Sequence, residues 1–137
     1  MGTRSTIALE FADGTVEQVY CHWDGYLEHN GKILQNYYMD PFKVKELVAL
    51  GGFSSLDKTV EATAATAYTQ RGEDLSIEKF KDFADYKANH QYEEYEYILR
   101  QVEGKAVWFV CDHDGAYVEL AQAIMDEEDR IAQEEME

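Results

Sequence analysis

The chain has 137 residues, 45% of them hydrophobic and 29% charged, with 28 Asp and Glu against 12 Lys and Arg and a formal net charge of −16. That length and apolar content suit one packed domain with its own core and argue against a disordered chain. The charge weighs against direct binding of nucleic acid or anionic membrane, which needs clustered Lys and Arg, and no apolar run nears the roughly 20 residues that cross a bilayer.

The first element is a β-hairpin. In "STIALEFADGTVEQVYCHW" Ile7, Leu9 and Phe11 alternate with smaller or polar residues, Asp13-Gly14 supplies a tight turn, and Val19, Cys21 and Trp23 alternate on the return. "GKILQNYYM" reads as a short helix that Asp40-Pro41 closes while capping a second, "FKVKELVAL", which Gly51-Gly52 ends. Phe53 to Leu75 is rich in Ala and Thr without a clear period, and no element is assigned there. Ser76 then caps a helix over "IEKFKDFADYKANH", with Phe80, Phe83 and Tyr86 inward. A second hairpin follows: Tyr95, Tyr97 and Leu99 alternate, Glu103-Gly104 turns, and Val107, Phe109 and Cys111 return. Last comes a long helix with Asp114 as N-cap and Tyr117, Leu120, Ala121, Ile124 and Ile131 on one face. Its acidic end, about 126–137, opposes the helix dipole and is expected to fray.

Sliding the chain by ninety residues lays Leu9 on Leu99, Gly14 on Gly104, Cys21 on Cys111, Asp24 on Asp114 and Gly25 on Gly115. These matches suggest a repeated ββα unit. The expected fold is α+β over residues 1–137: a four-stranded antiparallel sheet from two repeated β-hairpins, helices packed on one face, and a long C-terminal helix.

The repeat places Cys-x-x-Asp-Gly at both hairpin exits. If the hairpins pair with pseudo-twofold symmetry, His22, Asp24, Asp112, His113 and Asp114 converge, a donor set that suits a divalent cation such as zinc or manganese. The plainer alternative has Asp24 and Asp114 capping helices while the glycines permit the turns. A nucleophilic Cys21 or Cys111 with His22 or His113 as base is poorly placed, because neighbours on a strand point to opposite faces. Two cysteines are too few for a disulfide framework, and the start "MGTRSTIALEF" lacks a signal-peptide core, so a cytoplasmic chain with reduced thiols is expected. Trp23, Tyr26, Tyr37, Tyr38, Tyr92, Tyr95 and Tyr97 divide between core and a ligand or partner surface.

The charge is uneven. Met1 to Gln70 holds nine acidic and five basic residues, net −4, and Arg71 to Glu137 holds nineteen and seven, net −12. The clusters Glu93, Glu94 and Glu96, and Asp126, Glu127, Glu128 and Asp129, are candidates for a partner-binding face, because spaced carboxylates on a rigid element imitate the phosphate row of a duplex. Solubility is the other use of such charge.

The stretches "TRSTIALEFADGTVEQVYCHWDGYLEHNG" and "VKELVALGGFSSL" resemble a family of small proteins found mainly in bacteriophages and related bacterial elements. The resemblance rests on Thr3 to Ile7, the Asp13-Gly14 turn, Tyr20 to Tyr26 and His29-Asn30-Gly31, and spans roughly the first 55 residues. It implies a viral or mobile-element accessory protein in the host bacterial cytoplasm, and it carries over no catalytic residue. The first expectation is therefore a non-enzymatic, cofactor-free accessory protein, for host takeover or anti-defence, that inhibits a basic nucleic-acid-handling host factor such as a defence nuclease. The second is a metal- or small-ligand-binding domain, with hydrolysis as the activity it would support, at the paired junctions. The third is an assembly protein acting as a homodimer.

Overall fold

The computed structural model describes residues 3–90, 93–111 and 115–136. Its centre is one sheet of six strands: β1 (Ser5–Glu10), β2 (Val16–Cys21), β3 (Glu78–Phe80), β4 (Tyr95–Val102), β5 (Lys105–Cys111) and β6 (Tyr117–Glu119), in the order β3-β2-β1-β4-β5-β6. The helices are α1 (Lys32–Tyr37), α2 (Pro41–Val48), α3 (Val60–Ala64), α4 (Phe83–Asn89) and α5 (Leu120–Glu135), with a π-helical turn at Leu27–Gly31 and a 3-10 turn at Tyr68–Arg71.

Both expected hairpins form, but the sheet is mixed and six-stranded rather than four-stranded and antiparallel. β1 and β4 run parallel, Ser5 beside Tyr95 and Leu9 beside Leu99. A tight turn dictates antiparallel pairing only inside its own hairpin. The long helical return from Cys21 to Tyr95 lets β4 enter beside β1 in the same direction. The two extra strands, β3 and β6, have three residues each, too few to show a period, and both replace expected helix. Asp82, not Ser76, caps α4, its side chain accepting from Asp85 N at 2.7 Å. Helix α5 begins at Leu120, after Glu119, so Tyr117 belongs to a strand.

Helices cover both faces of the sheet, against the expectation of one. On the first face Ile7, Leu9, Val19, Cys21, Tyr97, Leu99, Trp108 and Val110 pack against Leu34, Val44, Leu47, Leu120 and Ile124. Trp108, 1% exposed, donates from Nε1 to the Tyr38 carbonyl at 2.9 Å, tying β5 to the end of α1. The opposite face is smaller: Ala8, Val16, Phe80 and Ile98 close against Tyr86 of α4, with Phe83, Phe109 and Tyr117 at its margin.

The ninety-residue repeat holds for strand position and fails for orientation. The first turn is a three-residue loop closed by Phe11 N to Thr15 O at 2.8 Å, with Gly14 at φ +91°. The second is a two-residue turn, Glu103 at φ +52° and Gly104 at +79°, joining Val102 to Lys105. One residue fewer shifts the register by one: Ser5 faces Cys21, but Glu96 rather than Tyr95 faces Cys111. A one-residue shift turns every side chain over, so Cys21 lies in the first core and Cys111 on the opposite face.

The unassigned segment after Gly52 proves to be a flap over the free part of the β2 edge. Phe53 N donates to Tyr20 O at 3.0 Å and His22 N to Phe53 O at 3.2 Å. Thr59 caps α3 by accepting from Ala62 N at 3.1 Å. Thr63, fully buried, ties α3 back to Asp57 by accepting from its N at 2.9 Å.

Candidate functional site

At the first hairpin exit the Cys-x-x-Asp-Gly stretch is built as a scaffold. Cys21 is fully buried, its Sγ facing the Trp23 carbonyl at 3.5 Å and the Asn30 amide nitrogen at 3.4 Å. Burial pushes the thiol up to about 11, so at neutral pH it is protonated and no nucleophile. His22 turns to the other face, where Nδ1 meets the Tyr20 hydroxyl at 2.7 Å. Asp24 caps no helix with its side chain. It adopts φ +58°, and its carbonyl accepts from Asn30 N at 3.2 Å. Gly25 is required sterically, since a Cβ there would lie 2.7 Å from Ser5 Cβ and 2.9 Å from the Thr3 carbonyl. The Tyr97 hydroxyl donates to the Gly25 carbonyl at 2.6 Å, so the first exit is fastened to both central strands.

Of the residues considered for a metal, Asp112, His113 and Asp114 lie outside the described residues. β2 and β5 end at the same end of the sheet, with β1 and β4 between them, roughly 14 Å at the usual strand spacing. Among the described residues no group of three or more His, Cys, Asp or Glu is arranged to hold a metal ion.

The acidic residues divide. Asp126, Glu128 and Asp129 are exposed on α5 and Glu127 is half-buried. Arg130 bridges Glu127 and Glu134, with Nη1 to Glu134 Oε1 at 2.6 Å, and Lys32 reaches Glu128 at 3.6 Å. Glu94 is exposed and Glu93 half-buried. Burial first, then the neighbouring charges of Glu127, Glu94 and Glu28, push the Tyr95 phenol up. Carboxylates from α5, from the entry to β4 and from the π-helical turn therefore surround one tyrosine. Glu96 is not among them: it is 3% exposed, and its Oε1 lies 2.7 Å from His90 Nε2.

Of the aromatic set, Tyr38 and Tyr97 are core, Tyr95 is half-buried, and Trp23, Tyr26 and Tyr37 are exposed; Tyr92 lies outside the described residues. Sequence reasoning did not single out His90, nor Gln18, which lines a pocket beside β2. Gln18 sits at a strand position that ordinarily faces solvent, and its neighbours come from the aperiodic flap. No family model, no curated protein and no solved structure matches this chain.

Proposed function

We propose that the protein is a non-enzymatic accessory factor that docks its acidic α5 face onto a basic protein, occupying a surface meant for nucleic acid. The observation that carries this is the charge on α5, six acidic residues against Arg130, net −5. From Asp126 to Glu135 the helix rises about 14 Å at ~1.5 Å per residue, so its six carboxylates come one per roughly 2–3 Å of axis, between the ~1.7 Å per charge of a DNA duplex and the ~3.4 Å of one of its strands. Glu28 and Glu94 extend the face sideways. Attraction between such a face and a basic groove gives fast, salt-sensitive association. A basic groove shaped for nucleic acid belongs to a nucleic-acid-handling enzyme, such as a host defence nuclease, and that is the inhibited partner of this reading.

The test is capture from bacterial lysate with the tagged wild-type chain and with a variant carrying Asp126→Asn, Glu128→Gln, Asp129→Asn and Glu135→Gln. A basic protein held by the wild type at low salt, released at high salt and lost with the variant is the expected result. Equal retention by a folded variant refutes the acidic face.

A further inference from the structure

Beside β2, at the sheet edge away from α5, lies a pocket of about 260 Å³ lined by Gln18, Tyr20, Gly52, Tyr68, Glu73 and Glu78 among others. Two of its lining residues are aromatic. Tyr20 and Tyr68 lie near parallel, ring centroids 6.4 Å apart at 27°. Tyr68 can lie there because position 52 is glycine: a Cβ would meet its ring carbons at 2.9 and 3.1 Å. Two carboxylates, Glu73 and Glu78, stand at the pocket.

Gln18 is only half used within the fold. It is 2% exposed, and its amide nitrogen donates to Glu78 Oε1 at 3.3 Å. That contact fixes the amide orientation, because the opposite one would set oxygen against oxygen. Oε1 is then a buried acceptor with no protein partner. A buried polar atom left so is costly, and most have partners.

An orphaned acceptor, carboxylates and tyrosine faces together ask for a group that only donates, carries positive charge and is flat. Guanidinium has all three properties. The protein already shows the pairing at the rim, where Arg71 sits 4.6 Å from the Tyr68 ring centre and its Nη2 lies 2.7 Å from Glu73 Oε2. The volume falls below the roughly 300–1,000 Å³ of drug-sized sites and suits one side-chain-sized group. We infer that this pocket binds a guanidinium group beside the Tyr20 and Tyr68 rings, its N–H donors meeting Gln18 Oε1 and the Glu78 carboxylate, whether a small alkylguanidine or a protein's arginine side chain brings it. The inference stands apart from the acidic face of α5.

The probes are agmatine, an arginine-containing tripeptide with blocked ends, and the same tripeptide with citrulline, each titrated into the full chain at constant ionic strength by amide NMR. Saturable shifts centred on Gln18, Gly52, Tyr68 and Glu78 with the guanidinium probes, and none with citrulline, are expected. Glu78→Gln should weaken binding roughly tenfold. Gln18→Leu should do the same, and if that chain fails to fold, the exposed Glu73→Gln gives the second reading. Binding by both guanidinium probes supports the group alone as ligand, and binding by the tripeptide only identifies a protein arginine as its source. Equal binding of citrulline, or no localised shift with any probe, overturns the inference.

Discussion

His90 shows how one residue sets a pH dependence. Its two ring nitrogens meet the Tyr86 carbonyl at Nδ1 and Glu96 at Nε2, an arrangement that a doubly protonated ring facing a carboxylate satisfies at both ends. Tyr86 stacks on it at 4.1 Å, a face that favours a cation. Burial alone would lower its pKa, but the Glu96 carboxylate, the Tyr86 carbonyl and, farther off, Glu78 overcome that and hold it above 6.5. Cys111 of β5 and Tyr117 of β6 also neighbour Tyr86, and burial first keeps that phenol un-ionised, well above 10. Because the folded pKa is raised, the stabilisation is complete below about 6.5 and is lost as pH rises through the folded value. Urea titrations in that window should show wild-type stability falling with pH and the slope absent in His90→Ala. Below the window His90→Ala should cost about 3–5 kcal/mol by stranding Glu96, and adding Glu96→Ala should recover part of it. A pH slope that survives the substitution would mean that another group titrates.

At the scale of elements, the two turns decide which face each side chain meets. Removing Glu17, inside β2, would move every later residue of that strand by one against β1 and turn Val19 and Cys21 out of the first core. That deletion should abolish cooperative unfolding by calorimetry. Gly104→Ala, at φ +79°, keeps the register and should cost only about 1–2 kcal/mol. The hairpins were legible because Asp13-Gly14 and Glu103-Gly104 are local signals, and α2 because Asp40-Pro41 both caps and starts it, Asp40 Oδ1 accepting from Phe42 N at 3.0 Å. The parallel join of β1 to β4 was not legible, since no local residue encodes which neighbour a returning strand selects. The flipped orientation of Cys111 was not legible, because the ninety-residue match runs without a gap and the difference in loop length exists only in the strand pairing. The guanidinium pocket left no sequence trace: Gln18, Gly52, Tyr68 and Glu78 meet only once the flap folds over β2. The acidic run was plain, yet its pattern could not separate Glu96, inside, from Glu94, outside.

For the whole molecule the question is whether a net charge of −16 is borne for solubility or for binding, and the two uses differ in what neutralisation does. Like charges on one small domain repel, and the carboxylates in the last turns of α5 oppose its dipole, each costing about 0.3–1 kcal/mol at low ionic strength. Among the described residues the cations paired with α5 carboxylates are Arg130 and Lys32, both in exposed pairs, a kind that stabilises little. The variant Asp126→Asn, Glu128→Gln, Asp129→Asn and Glu135→Gln removes four charges, taking the net from −16 to −12. It should melt higher than wild type in dilute buffer, and the gap should close toward 1 M salt, where the screening length shrinks to about 3 Å. A face kept for binding is then a stability cost retained for function, so the same variant gains in melting temperature while losing its basic partner. If the charge serves solubility alone, the variant should precipitate at lower concentration and keep whatever the wild type binds. Melting temperature, solubility and salt-resolved capture on these two chains separate the uses, because only a docking face links higher stability to lost association.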